Sequence, residues 1–209
     1  MRTLAFLLAF LLASTSLAVG EHSSLYVKDN NIYYHSMQLT DSGINSSPVL
    51  SPNGKWVVFI KQSDLILTKD AKCGSPNAVV GDHASEIWIV NLNNMQKRLL
   101  VAPHLNCNGP QSLIFDPHNF VFSPDSKTLY FITSAWVTSG AIHGVNVDGR
   151  NLRFVTDGNE LQIINKGRYK GDLIVNQHRY FDYHGGGSYD WDWLYTPTGK
   201  QIRVYKKQD

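Results

Sequence analysis

The 209-residue sequence has only two cysteines, three methionines and 17% charged residues, and no long hydrophobic run after its first twenty positions. Each shortage excludes something. Two cysteines, Cys73 and Cys107, contain no Cys-x-x-Cys pair, and no His-x-x-x-His pair stands elsewhere, so a structural zinc centre has no local signature. Low charge with 11% aromatic residues is the composition of a folded chain rather than a disordered one. Lysine and arginine number 19 against 17 acids, and removing Arg2 with the N-terminal segment leaves 18 against 17. Such balance excludes nucleic acid as a partner, because phosphate backbones are held by a basic surplus. The absence of a later apolar run of membrane length leaves no predicted span in the mature chain. Helical periodicity is almost absent after residue 20. Neither Gly-x-Ser-x-Gly nor a Gly-Lys-Ser/Thr phosphate loop occurs, so Gly185-Gly186-Gly187-Ser188 reads as a hairpin tip.

The first twenty residues stand apart. Arg2 precedes the apolar core LAFLLAFLLA (4–13), and small residues at 16–20 offer a cleavage site. This is the pattern of a secretory signal over 1–20, and it implies an exported protein, periplasmic or secreted. In an oxidising compartment Cys73 and Cys107 are expected to form one disulfide. It closes a loop of about 35 residues and contributes ~3–4 kcal/mol in the chain-entropy account.

The rest of the chain is a string of short β-branched and aromatic runs separated by turn-formers. The predicted strands include 56–60 (WVVFI), 86–92, 128–134, 152–156, 161–165, 172–181, 189–196 and 201–206. Between them stand Pro-Asn-Gly, Pro-Asp-Ser, Asp-Gly and Thr-Gly-Lys, which favour turns through φ and local side-chain bonds. One phrase is said twice: SSPVLSPNGKWVVFI (46–60) and HNFVFSPDSKTLYFI (118–132). Each is followed by a second hairpin phrase, at 86–100 and 141–158. A repeated pair of hairpins points to stacked small sheets and an all-β, β-propeller-like fold of about 3.5–4 four-stranded blades. The units are a hairpin at 22–42, then blades at 43–102, 113–158 and 159–209. The two Ser-Pro pairs lie 72 residues apart, longer than the usual 40–45, with an insertion at 64–85 and a linker at 101–112 taking much of the excess.

These phrases resemble the "SPDG" repeat of TolB-type β-propellers, with IWIVNL and HGVNVDGRNLRFVTDG similar to the third and fourth strands of that repeat. The resemblance covers residues 40–160 best. It implies one TolB-like propeller domain over 21–209, a short exported member of that family rather than TolB itself, which has six blades and an additional domain. The same repeat occurs beside a separate hydrolase domain in prolyl-oligopeptidase-type enzymes.

Strand alternation within a blade places the segments 64–85, 101–112, 134–141 and 181–189 at one end. That end therefore gathers Cys73, Cys107, His83, His104, His184 and Trp136, and long loops are where binding is expected. His178 and His184 lie six apart across a predicted hairpin. Asp190 and Asp192 alternate with Trp191 and Trp193, so the acids share one strand face and the tryptophans the other. Such a carboxylate pair is a candidate for acid/base work on a sugar, or for calcium with Asp182. The plainer readings are a solvated strand face, loop histidines and tryptophans packed between sheets. Of the aromatics between Tyr180 and Tyr195, about half are expected in the core. No nucleophile, metal set or cofactor motif emerges. The function expected is an exported binding module that meets a protein partner, or a second copy, through its long-loop face. The candidate residues are His83, His104, Trp136, His178, Tyr180, His184, Asp190 and Asp192. The alternative is a small hydrolase or carbohydrate-active protein using His178, His184, Asp190 and Asp192.

Overall fold

The computed structural model describes residues 24–68, 79–105, 109, 112–182 and 186–207. The N-terminal segment, both cysteines, Tyr183 and His184 lie outside the described residues, and so do the readings that depend on them.

Fifteen strands form four consecutive antiparallel sheets. The first sheet has β1 (Leu25–Lys28), β2 (Asn31–Tyr34) and β3 (Met37–Gln38). The second has β4 (Asn45–Leu50), β5 (Trp56–Ile66), β6 (His83–Asn91) and β7 (Lys97–Val101). The third has β8 (His118–Phe122), β9 (Thr128–Thr133), β10 (Gly140–Asn146) and β11 (Arg153–Gly158). The fourth has β12 (Glu160–Ile163), β13 (Leu173–Tyr180), β14 (Ser188–Tyr195) and β15 (Gln201–Lys206). Each sheet is laid down in chain order, an arrangement consistent with a propeller-like fold.

The apolar runs are explained by burial on both faces. In the second sheet, Val57, Phe59 and Val90 pack with Ile32 and Leu39 of the first-sheet region, while Val58, Ile87 and Ile89 turn the other way. Those meet Phe120, Phe122, Leu129, Phe131 and Val145 of the third sheet. The alternate residues of the third sheet, Tyr130, Ile132, Ile142 and Val155, meet Leu161, Leu173, Val175, Trp193 and Tyr195 of the fourth. Three core clusters thus join the sheets in series. Among the described residues no core cluster joins the fourth sheet to the first.

Both Ser-Pro phrases build the same turn between the first and second strands of a sheet. Ser51 Oγ donates to Asn53 Oδ1 (2.8 Å), which also accepts from Lys55 N–H (3.0 Å), while Trp56 N–H donates to Ser51 Oγ (2.9 Å). In the second copy Ser123 Oγ donates to Asp125 Oδ1 (2.6 Å), Lys127 N–H to the same atom (3.1 Å), and Thr128 N–H to Ser123 Oγ (2.9 Å). The Ser123 hydroxyl holds the Asp125 carboxyl below its ordinary range. Only one side-chain oxygen is used, so asparagine and aspartate serve equally. The fourth position needs positive φ, 69° at Gly54 and 60° at Ser126. Serine tolerates it at 126 because its Oγ accepts Asn53 N–H (3.1 Å), tying the two turns together. Thr196-Pro197-Thr198-Gly199-Lys200 repeats the turn between β14 and β15, with Lys200 N–H donating to Thr196 Oγ1 (3.0 Å).

Three departures from the predicted strands have local causes. β5 and β6 extend beyond the apolar runs, to Ile66 and back to His83, because Gln62 pairs with Ser85 and Ile66 with His83 across a bulge. The segment read as an insertion at 64–85 is therefore partly ladder. The N-terminal unit has a third strand, Met37–Gln38, too short for a sequence signal. Its β1–β2 turn lies beside Asn45, where Asn45 N–H donates to Asn30 O (2.9 Å), so β1–β3 hold the phase of the second to fourth strands of the later sheets.

Gly199 is expected to be the least replaceable turn glycine. It has φ of 88°, and an added Cβ would run into the Val155 carbonyl of the neighbouring sheet, whereas Gly54 faces open space. Gly54→Ala should cost ~1 kcal/mol for the backbone alone, and Gly199→Ala more than about 2 kcal/mol, in urea unfolding. Equal losses would show that the Val155 contact does not constrain the turn.

Candidate functional site

The connections β5–β6, β7–β8, β9–β10, β11–β12 and β13–β14 all emerge at one end, the long-loop end. They are knit locally. Leu67 packs with Ala84, Leu113 and Phe115, and Asn159 Nδ2 donates to Thr138 O (2.8 Å) while its Oδ1 accepts Gly140 N–H (3.2 Å).

The candidate residues at this end do not converge on one cavity. His83 lines a cleft of about 360 Å³ with Asp82 and Asp116, and its Nδ1 donates to Ser63 O (2.8 Å). His104 lines a second, of about 440 Å³, where its Nδ1 donates to Ser112 O (2.8 Å). Trp136 lines a third, of about 320 Å³, with His118, Thr138 and Asn159. These are three separate clefts with no lining residue in common.

The fourth sheet does bring its candidates together. His178 lies directly across from Asp190, and Asn176 across from Asp192. His178 Nδ1 meets Asp190 Oδ1 at 2.9 Å, Asn176 Nδ2 donates to Asp192 Oδ1 (3.0 Å), and Tyr180 sets its ring edge-on to His178. Period-2 alternation puts this polar row on the face turned away from the third sheet, with Trp191 and Trp193 on the other. The two carboxylates are each engaged by a separate cross-strand partner. Among the described residues no cluster of three or more His, Cys, Asp or Glu is arranged to hold a metal ion. Of the aromatics, Trp193 and Tyr195 are buried, Tyr189, Trp191 and Phe181 are half-buried, and Tyr180 is 64% exposed.

Two polar features escaped the sequence reading. Gln177, fully buried, donates through Nε2 to Thr156 Oγ1 (3.1 Å) and Asp157 O (2.7 Å), and accepts from Tyr195 Oη (2.9 Å). Arg179 joins this network and lies over the Trp193 ring at 3.8 Å. The other feature is His143, in the middle of the apolar strand β10 and 2% exposed. It stacks on Phe131 and contacts Thr133 Oγ1 through Nε2 at 3.0 Å. Burial pushes its pKa down to about 4. Thr133 is wholly buried and its hydroxyl is given to Leu113 O (3.1 Å), so Nε2 is taken up within the core, while the imidazole also lines the 440 Å³ cleft. A lone histidine inside an apolar run was the available signal.

No protein-family model matches the chain, and no curated protein does. Solved structures do. Dipeptidyl peptidase 4 of Porphyromonas gingivalis matches with a TM-score of 0.59 at 11% identity, over 88% of this chain and 31% of that one. A chain described as a dipeptidyl aminopeptidase IV from Bacteroides ovatus gives 0.54 at 14% identity, over 82% and 27%. TolB from Acinetobacter baumannii is also matched, with a TM-score of 0.46 at 15% identity, over 83% and 36%. At these identities the likeness speaks to fold alone, and this chain spans about a third of the two peptidases' length. Among the described residues no helix is long and apolar enough to cross a membrane.

His143 gives a pH signature. Its pKa falls from 6.5 to about 4 on folding, so the unfolded chain binds the extra proton between those values. Stability from this group is complete above pH 6.5 and is lost as pH falls to about 4, by ~3 kcal/mol in all. Urea unfolding at pH 7, 5.5 and 4.5 should show that loss, and His143→Phe should lack this component. Parallel curves for the two proteins would show that burial does not hold His143 neutral.

Proposed function

We propose that this chain is an exported, propeller-like binding module that meets a protein partner through its long-loop end. A group of exposed apolar side chains at the long-loop end carries this reading, while others such as Met95, Leu99, Ile202 and Tyr205 are exposed elsewhere. Ile44, Leu65, Ile66, Val79, Val80 and Val137 are exposed, Val137 at 82%, and strand direction brings all of them to that end, with Tyr180 nearby. Exposed apolar groups gathered in one region mark a contact surface. The opposite end is occupied by contacts between neighbouring turns. Asn53 N–H donates to Ser126, an Arg98 guanidinium N–H to Val147 O, and Arg153 Nη2 to Pro197 O. The polar outer row of the fourth sheet, paired within itself, favours a separate partner over ring closure between two copies.

The hydrolase or carbohydrate reading has one supporting observation, the His178–Asp190 contact, which orients the imidazole. No hydroxyl or thiol among the described residues bonds to His178, so the dyad has no nucleophile to activate. The pair is therefore read as a cross-strand contact worth less than about 1 kcal/mol at this exposure.

Site-specific photo-crosslinking in the native host tests the proposal. A photoreactive side chain at Val137 or Ile66 should give a discrete protein adduct, and one at Lys55 or Asp148, at the short-turn end, should not. Adducts from the short-turn positions alone, or from none of the four, would contradict it.

A further inference from the structure

The 440 Å³ cleft runs along the outer rim between β7 and β11, from the β7–β8 connection to the β10–β11 turn. Its walls are apolar, built from Leu100, Ile114, Leu152 and Phe154. Leu152 and Phe154, two positions apart where β11 begins and so on one side of that strand, are 46% and 40% exposed. His143 lies at its floor. Arg153 lines it as well, but its guanidinium is turned to the carbonyls of Asn151 (3.3 Å) and Pro197 (3.1 Å). Among the described residues no carboxylate borders it.

The hydrogen-bond inventory of His143 decides what this cleft can take. Thr133 has one hydroxyl hydrogen, and Leu113 O receives it. The contact between Thr133 Oγ1 and His143 Nε2 must then be donated by the imidazole. In the neutral ring Nδ1 is left with a lone pair, and it has no partner among the described residues. An acceptor without a donor beside a cleft is available to a donor that enters it. His104 repeats the pattern at the mouth: its Nδ1 donates to Ser112 O, so in the neutral ring Nε2 is an acceptor too. A cleft with apolar walls and an aromatic edge, whose imidazoles offer acceptors and whose arginine is bonded to backbone carbonyls, selects a flat apolar body with a donor. It disfavours a carboxylate, whose lone pairs would face those of the imidazole.

We propose that this rim cleft binds an aromatic ring bearing a hydroxyl, the ring against Leu152 and Phe154 and the O–H donated to His143 Nδ1. The same chemistry is offered by a free phenolic compound and by a tyrosine side chain in a protein. The test is titration of the full chain, followed by amide and imidazole NMR shifts, with p-cresol, toluene, 4-methylbenzoate and a capped Gly-Tyr-Gly peptide. p-Cresol should bind about five- to tenfold more tightly than toluene, the worth of one such hydrogen bond, and 4-methylbenzoate no better than toluene. His143→Phe should erase the advantage of p-cresol. Leu152→Arg, at an exposed position that leaves the core intact, should weaken p-cresol and toluene alike. Peptide binding comparable to p-cresol assigns the site to tyrosine in a chain, and binding of p-cresol alone assigns it to free phenols. Equal affinity for p-cresol and toluene, or shifts that fall outside the cleft, would overturn the proposal.

Discussion

A four-stranded sheet with two apolar faces cannot stand in water, and this requirement organises the whole molecule. The second and third sheets carry large aliphatic and aromatic residues on both faces, so each must have a neighbour on either side. The first and fourth sheets supply them. The fourth then changes character: Val175 and Trp193 face inward, while Asn176, His178, Asp190 and Asp192 form paired polar contacts on the outer side. Alternation along β13 and β14 thus does two jobs, completing the core on one face and ending the run of apolar interfaces on the other.

The two ends of the stack diverge for the same reason. Tight turns at one end bring backbone groups of adjacent sheets within hydrogen-bond reach, as Asn53 with Ser126 and Arg153 with Pro197. The longer connections at the other end need not pack so tightly, and they carry the exposed valines Val79, Val80 and Val137. Rigidity and accessibility are thereby separated, a division that lets contact residues vary without touching the sheet interfaces.

Much of this was legible in particular residues. The doubled Ser-Pro phrase announced two equivalent turns, and their hydrogen bonds match atom for atom. WVVFI and TLYFI read as strands, and their unbroken hydrophobicity was the mark of two buried faces. The alternation of Asp190 and Asp192 with Trp191 and Trp193 gave the two faces of β14 correctly. What stayed hidden depends on cross-strand register. Lys61, Gln62 and Ser63 lie within β5 although nothing in their side chains favours it, because the ladder with β6 carries them. The His178–Asp190 contact needs the one register that sets these residues opposite each other. Gln177 and Arg179 form a network that spans two sheets, and no local pattern anticipates it.

Native-state hydrogen exchange tests the central claim, that stability resides in the doubly covered middle of the stack. Amides of β5, β6, β9 and β10 should share the highest protection, approaching the global unfolding free energy, with β1–β3 and β15 opening at lower cost. Equal protection across all four sheets, or highest protection in the first, would contradict the account.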